Sequence, residues 1–456
     1  MKKLKIFSIF IFSFGLLVGI NKTIFASSNL INKEYKSINI YEKFDIKTIQ
    51  YDSGKKYQYS SSDSSVASVN ADGIVTGGKM GETVITVSDN SGNISRLNIR
   101  VGFYKGIDIS TFNGNVNYSS IKSQGIDFVM IRSSYGWYDG YDQAAGKAYN
   151  FQYDNNLYSN VKGAVENNVP FGIYHYSYAR NTSEATLEAE YTINALKSTG
   201  AYANKMSLPI AYDVEDSKYQ GSIDKETLTD IVITYCQKIR AAGYQPMIYA
   251  NKNWYVNHLN ISRLNSLGYD FWYALWPGGN IDFSSKIQIA DSGIYPLIWQ
   301  YTSSGSVPGA NTNSGRVDLN VMYMKDQVKI TFISDGQVVE EKGIDKNSST
   351  KFPEVLKSGY SFVKWIDSNG NTITEQTKFN SNTTLTAVYK QNYKKGDVNR
   401  DGKVNMLDVY YSMKGIVNGT LTDDEKVILD VTGDSRANML DVNKIMKYIA
   451  GELESL

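Results

Sequence analysis

The stretch "LPIAYDVED", Leu208 to Asp216, decides how this chain is read. An apolar run from Leu208 to Tyr212 passes directly into Asp213, Val214 and Glu215. Apolar character on both faces marks a strand covered on both sides, as in a parallel sheet. Residues two apart on a strand point the same way, so Asp213 and Glu215 are expected on one face with Cα atoms roughly 6.5 Å apart. Two carboxyls at the end of such a strand require that end to open into a polar cleft.

Working outward, seven more short apolar runs have the length of strands. They are "KGIDIS" (105–110), "FVMIRSS" (128–134), "FGIYHYSYA" (171–179), "PMIYAN" (246–251), "FWYALW" (271–276), "LIWQYT" (297–302) and "RVDLNV" (316–321). Helix-like segments fill the earlier gaps: "YSSIKSQG", "LYSNVKGAVENN", "SEATLEAEYTINALKS", "KETLTDIVITYCQKIRAAG" and "ISRLNSLG". Strands alternating with helices predict a parallel sheet. Eight strands predict a closed α/β barrel of the TIM kind, with an incomplete helical ring because the last three strands lie too close in sequence for full helices. Active sites of such barrels sit at the C-terminal ends of the strands. Asp108 on the first strand and Asp318 on the eighth become neighbours once the barrel closes, with Asp213 and Glu215 across the mouth. A single Asp is as readily a helix cap or a surface ion pair; the Asp213–Glu215 pair is harder to explain so.

The chain has 456 residues and a net charge of +1, enough length for several domains and no basic excess that would suit nucleic acid. It holds 35 Tyr and 6 Trp, whose faces stack on sugar rings as well as filling cores. The single cysteine, Cys236, lies in a helical pattern and excludes an internal disulfide. Lys2, Lys3 and Lys5, the apolar run Ile6 to Ile20 and the small residue Ala26 predict a secretory leader over 1–26, cleaved, with no other membrane span. A secreted, extracellular or cell-surface location follows. No His or Cys cluster suggests a metal for catalysis.

Residues 35–102 alternate in short runs around an Asp-Gly turn, "SSVASVNADGIVTG", followed by "GETVITVSD". Residues 327–390 return to strands in "VKITFISDG", "GYSFVKWIDSNG" and "TTLTAVYK". Residues 394–454 hold a duplication marked by "NMLDV". "DVNRDGKVNMLD" has the ligand spacing of a calcium loop: Asp397, Asn399, Asp401, the Lys403 carbonyl, Asn405 and Asp408, with Gly402 at the sharp turn. The second copy supplies Asp430, Thr432, Asp434, the Arg436 carbonyl, Asn438 and Asp441. There Thr432 replaces a carboxamide and Ser435 replaces the turn glycine, so weaker binding or a strained turn is expected.

These pieces carry resemblances. Val66, Ala67, Val69, Gly73, Val75, Thr76 and Gly77 resemble a group 2 bacterial immunoglobulin-like domain, expected as a β-sandwich spacer or adhesion module. Gly359 to Trp365 resembles the internalin-type B repeat, a small β-grasp-like module. The duplicated loops, each followed by a helix, resemble a type I dockerin, which implies structural calcium, a small α fold and a cohesin domain as partner. The pairs Met406–Leu407 and Met439–Leu440 fall where that family contributes to recognition.

Residues 104–325 resemble the glycoside hydrolase family 25 lysozymes, the N-acetylmuramidases. The match runs through "GIDIS" from Gly106, "LPIAYDVE" from Leu208, "PMIYANKNW" from Pro246, "WYALW" from Trp272 and "WQYTSSGSVPG…VDLN" from Trp299. It departs in "WYALWPGG" and in the Tyr-rich loop Trp137 to Tyr153. The resemblance implies peptidoglycan as substrate, cleaved at the β-1,4 bond between N-acetylmuramic acid and N-acetylglucosamine. Glu215 is then expected as proton donor, with Asp213, Asp108 and Asp318 ionised around it. Retention through the substrate's own acetamido group, oriented by Asp213, stands beside an inverting route with Asp213 or Asp108 activating water. Tyr249, Trp272 and Gln300 match positions near the cleft, where sugar contact and core packing are both open. Alternatives are an inactive glycan-binding or assembly module and a hydrolase of another acetamido glycan.

Overall fold

The computed structural model describes residues 34–49, 55–136, 152–358 and 360–456, with two short strands at Tyr141–Asp142 and Lys147–Ala148. The expected leader at 1–26, and Trp137 in the Tyr-rich loop, lie outside the described residues.

Eight strands form the barrel: β1 (Phe103–Ile109), β2 (Phe128–Tyr135), β3 (Phe171–Tyr176), β4 (Ile210–Asp213), β5 (Pro246–Asn251), β6 (Asp270–Ala274), β7 (Ile298–Gly305) and β8 (Val317–Tyr323), and a ninth short strand, Gln152–Tyr153, pairs antiparallel with the end of β2. Each of the eight pairs with the next, and β8 returns to β1, so the barrel closes. The strands from β1 to β7 run parallel. β8 does not: it is antiparallel to both β7 and β1. This corrects the all-parallel expectation. The connection 306–316 has no helix, and a chain that turns back without a crossover enters the neighbouring strand antiparallel. The reversal has a consequence for the site. Asp318 is the second residue of β8, and it reaches the mouth because that strand starts where the others end.

Helices follow the first five strands: α1 (Tyr118–Ser123), α2 (Leu157–Glu166), α3 (Thr182–Lys197), α4 (Lys225–Ala241) and α5 (Ile261–Ser266). Asn117, Asn181, Asp224 and Asn260 start four of them by accepting a first-turn amide. Alternation along the strands sorts the side chains. Ile107, Ile131, Ile173, Tyr212, Ile248 and Phe271 face outward and pack under the helices. Phe128, Met130, Met247, Trp272 and Ile298 form a separate apolar cluster filling the barrel. Gly106 makes room for it, because a Cβ there would meet the Phe128 ring at 2.4 Å. Beyond β6 the described residues form no helix until the C-terminal module, so the ring is incomplete as expected.

The N-terminal module is two facing sheets. One orders Tyr35–Ile38, Ile94–Val101, Gly81–Asp89 and Tyr57–Ser61; the other orders Lys43–Asp45, Ile74–Gly77 and Ala67–Val69. Ile85, Val87, Leu97 and Ile99 fill the space between them. Residues 327–391 form a five-stranded mixed sheet around Phe332, Trp365 and Leu385. The C-terminal module packs α6 (Met406–Asn418), α7 (Asp423–Leu429) and α8 (Met439–Ile449) around Val409, Leu429 and Val442. Among the described residues no helix is long and apolar enough to cross a membrane.

Candidate active site

The inward face of the strands turns polar at the mouth. Asp108 and Asp318 stand opposite one another in the antiparallel register of β1 and β8. Asp213 ends β4, and Glu215 lies just beyond it rather than within the strand. The backbone stays attached there, since the Val214 amide donates to the Tyr249 carbonyl at 2.9–3.0 Å spacing typical of a ladder, here 3.0 Å.

Asp108 is buried and well held. Gln300 Nε2 donates to its Oδ2 at 2.9 Å and Asn320 Nδ2 to the same oxygen at 2.8 Å. Gln300 is itself oriented, because its Oε1 accepts from the Tyr249 hydroxyl at 3.2 Å and from Trp276 Nε1 at 3.1 Å. Asn320 is oriented likewise, with Trp272 Nε1 donating to its Oδ1 at 2.8 Å. Of the residues singled out in sequence, Trp272 (1% exposed) and Gln300 (2%) thus spend their polar atoms on protein partners. Packing, not an open face, accounts for Trp272. Tyr249 is also buried, yet its hydroxyl reaches Glu215 as well as Gln300.

Four carboxyls in one low-dielectric mouth do not all ionise. Burial raises Glu215 to about 7, and the charges of Asp108 and Asp216 add to it. Burial and the Asp108 charge push Asp318 up to about 8, and it holds the proton of its hydrogen bond to Asp108. Burial also raises Asp108, but the bonds from Asn320, Gln300 and Asp318 pull back. Burial, Glu215 and Asp108 drive Asp213 well above the carboxylate range against the pull of Arg132. The expectation that all three aspartates stay ionised therefore fails. The negative charge concentrates on Asp108, while Asp318 is a neutral donor and Asp213 and Glu215 titrate as a pair. Asp213 Oδ1 is buried with no hydrogen-bond partner.

Two clefts open beside the acids. One, of about 230 Å³, is lined by Asp108, Asp318, Tyr174, Phe112 and Arg316 among others. The other, of about 380 Å³, is lined by Phe112, Tyr135, Tyr153, Tyr176, Tyr178 and Arg132. Arg132 is fixed there by Asp154, with Nε at 2.9 Å from Oδ2, and lies 5.1 Å from the Phe112 ring centroid. Trp276, 55% exposed, stands over Gln300 at the rim. Sequence reasoning passed over Asn320, Arg132, Asp154 and Trp276 as site residues. A signal existed for two of them: Asn320 shares a face with Asp318, and Arg132 is the polar residue at the far end of an apolar strand. His175 bonds within the fold, with Nδ1 2.8 Å from the Ser134 hydroxyl.

In the C-terminal module, Asp430, Asp434 and Asp441 bring carboxylate oxygens within 4.8 Å of one another. Ser435 takes a left-handed φ of 64°, where Gly402 of the first loop has 87°. In the first loop Asp397 accepts the amides of Asp401 and Gly402 at 3.0 and 2.9 Å. Asp408 and Asp441 are fully buried.

A closed β/α barrel with clustered carboxyls at its mouth, flanked by aromatic clefts, has the groups that acid-assisted cleavage of a glycosidic bond requires. Comparison with known proteins narrows the class. Residues 107–310 match glycosyl hydrolases family 25, residues 395–450 the dockerin type I domain and residues 43–96 the bacterial Ig-like domain of group 2. The chain thus carries a family 25 glycosyl hydrolase domain and a C-terminal type I dockerin domain. It is 25% identical over 150 residues to the "D-alanyl-L-alanine endopeptidase" of Streptococcus phage B30, covering 32% of this chain and 31% of that one. It is 26% identical over 223 residues to "Lysozyme M1" of Streptomyces globisporus, covering 47% of this chain and 66% of that one. The chain therefore spans less than two thirds of either relative. The catalytic domain of endolysin ply40, from bacteriophage P40 of Listeria monocytogenes, is 25% identical. That likeness covers 48% of this chain and 93% of the other, with a TM-score of 0.37.

Proposed function

We propose that the barrel, residues 104–325, hydrolyses the β-1,4 bond between N-acetylmuramic acid and N-acetylglucosamine in peptidoglycan. The observation that carries this reading is the convergence of Asp108, Asp318, Asp213 and Glu215 at one barrel mouth. Glu215 is the proton donor for the leaving oxygen: half-buried, with a pKa of about 7, it holds a proton near neutrality. When the proton of the pair sits on Glu215, Asp213 is the charged partner. Its unpartnered Oδ1 then accepts the N–H of the substrate's 2-acetamido group and turns the acetamide oxygen toward the anomeric carbon. That oxygen attacks as the glycosidic bond breaks, Glu215 protonates the departing sugar, and water later opens the cyclic intermediate with retention. Asp108 stabilises the developing positive charge. Asp318, Gln300 and Asn320 hold Asp108 in place, and Trp272 holds Asn320. Phe112, the cleft tyrosines and Trp276 offer faces for the flanking sugars.

The rest of the chain delivers the barrel. A cleaved leader at 1–26 exports it to the cell surface or medium, and the five-stranded module spaces it from the C-terminus. The two loops fit calcium, since Asp397, Asn399, Asp401 and Asp408, and Asp430, Thr432, Asp434 and Asp441, are all oxygen donors of the kind a hard cation takes. The ion would supply the charge that holds each loop onto the helix after it. Met406 and Leu407 are 56% and 54% exposed, and Met439 and Leu440 are 48% and 64%. This near-equivalence suits a cohesin domain bound in either of two orientations.

Peptidoglycan turbidity with wild type and Glu215→Gln tests the reaction, with mass spectrometry of the fragments. Clearing by wild type alone, leaving reducing-end muramic acid, is expected. Clearing by neither points to a glycan-binding module; equal clearing by both removes Glu215 as the acid. Fragments from chitin alone point to another acetamido glycan. First-formed α anomer in proton NMR would exclude retention.

A further inference from the structure

The barrel's outer surface is helix-covered behind β2 to β5 but not behind β7, β8 and the start of β1. There Phe103, Trp299, Tyr301, Val321 and Tyr323 form an apolar cluster of their own. On the loop side Ile281, Phe283 and Ile287 pack against it. On the other side the cluster is completed by Met80, a buried residue of the N-terminal module.

The junction between the two modules has no linker. The strand Ile94–Val101 passes through Gly102 directly into β1. Gly102 has φ 86° and sits against Met80, whose Cγ would lie 3.0 Å from any Cβ placed there. Its amide donates to Ile38 in the N-terminal module at 2.9 Å, and its carbonyl accepts from Met324 beyond β8 at 2.9 Å. One residue is thus tied to both bodies through its amide and its carbonyl.

Charge is shared in the same way. Arg100 is only 4% exposed and pairs with Glu82 of its own module at 3.3 Å and with Asp127 of the barrel at 3.0 Å. It also donates to the Gly125 carbonyl in the barrel. Glu82 in turn pairs with Lys105 on β1 at 2.9 Å, and Ser37 donates to Asp127 at 2.9 Å. A buried guanidinium is costly unless its partners are in place, and here they come from both modules. Arg100 is satisfied only when the two are docked.

We infer that the N-terminal Ig-like module is a wall of the catalytic barrel. It closes the side that the helices leave open, directly behind the strands that carry Asp108, Gln300, Asn320 and Asp318. The outward residues Trp299, Val321 and Tyr323 alternate with the inward Gln300, Asn320 and Met322, so the wall and the site share the same strands. The module is then neither a free spacer nor a detachable adhesion domain, and the unit that folds together runs from the Ig-like strands through β8. This inference stands apart from the reaction proposed above.

Heat unfolding of the full chain, followed by tryptophan fluorescence, tests it. With Trp365→Phe, in the 327–391 module, carried by the reference chain and by every variant, the remaining tryptophans, Trp137, Trp254, Trp272, Trp276 and Trp299, all lie between 104 and 325, and the module from 34 to 102 has no tryptophan. Ile85→Ala empties space inside the Ig-like core, away from the barrel. It is expected to lower the tryptophan midpoint by roughly 4 °C or more. Met80→Asp and Asp127→Asn, at the contact itself, are expected to lower it as well. Ile94→Asp, at a site 58% exposed, leaves it in place. The inference is overturned if Ile85→Ala renders the Ig-like segment protease-sensitive while the tryptophan midpoint stays at its reference value. It is also overturned if Met80→Asp does not move that midpoint.

Discussion

Asp318 stands directly across from Asp108 in the register of β8 and β1, and the two carboxyls share a hydrogen bond in which Asp318 supplies the proton. The arrangement exists because β8 is antiparallel. A parallel eighth strand would bring its other end to the mouth, and Asp318 would lie at the floor. The pair divides labour between chemically identical groups: one side chain carries charge, and its neighbour is kept neutral to donate to it.

This division sets the pH dependence. Glu215, at about 7, gives up its proton before Asp318, at about 8. The alkaline limb of kcat/KM is therefore expected to fall through about 7, reporting loss of the proton that the Asp213–Glu215 pair holds on Glu215. Asp318→Asn keeps a donor beside Asp108 and leaves that limb where it is, since Asp318 is neutral while Glu215 titrates. Asp108→Asn removes a charge that raises Glu215, so the limb moves toward acid and kcat falls by roughly tenfold to a thousandfold, the scale of a lost electrostatic contact. Rate profiles from pH 4 to 9 separate the two variants. An alkaline limb shifted by Asp318→Asn would contradict this proton assignment.

The same proton carries a stability cost with a definite sign. Asp318 has a higher pKa folded than unfolded, so the folded chain holds the proton more tightly. Its contribution is fully present below the ordinary value of 3.8 and is lost as pH rises through about 8. Asp318→Asn removes the ionisation penalty. It is expected to melt higher than wild type at pH 8, with a smaller gain or none at pH 4, by calorimetry at both values. An equal gain at both would place the effect in packing instead.

The strand-and-helix order was legible because periodicity and length distinguish a six-residue apolar run from an amphipathic segment. The five helices expected after the first strands all form, from Tyr118–Ser123 to Ile261–Ser266. What eluded the sequence was direction: nothing in "RVDLNV" states which way a strand runs, and only the helix-free connection 306–316 hints at reversal. Proton positions were less legible still. Asp213, Asp318 and Glu215 were identified as acids by residue type and strand position. Which one keeps its proton depends on donors that the fold brings in, such as Gln300 from β7 and Asn320 from β8. The N-terminal module was legible as Ig-like from its turn and its "VTG" run, but its attachment depends on Met80 and Arg100, which look like ordinary strand residues.

Trp272 offers a test of indirect support. Its indole N–H holds Asn320, which in turn holds Asp108. Trp272→Phe keeps most of the buried volume and leaves the Asn320 carbonyl oxygen without that donor. A cost of about 1–3 kcal/mol in stability is expected for the unpaired buried group. The catalytic signature is a fall in kcat with KM nearly unchanged, because Trp272 itself has no open face for sugar. A large rise in KM with kcat preserved would return Trp272 to direct substrate contact.

The C-terminal loops are left-handed at the same two positions but exchange the residues there: the fourth is Arg400 at φ 61° in the first loop and Gly433 at 78° in the second, and the sixth is Gly402 and then Ser435. Ser435 adopts φ 64° where the first loop has Gly402. A left-handed conformation costs an L-residue roughly 1–2 kcal/mol relative to glycine. Ser435→Gly is therefore expected to tighten calcium at the second loop by about tenfold, since 1.4 kcal/mol is a factor of ten in binding. The variant does not touch the carboxylates of Asp430, Asp434 and Asp441. Calcium titration of the full chain by calorimetry should resolve two sites in wild type and draw their affinities together in the variant. The opposite change, Gly402→Ser, should weaken the first site by a similar factor. Unchanged affinity in Ser435→Gly would mean that the turn is already paid for by its other contacts, chief among them the Ser435 amide donated to Asp430 at 3.1 Å.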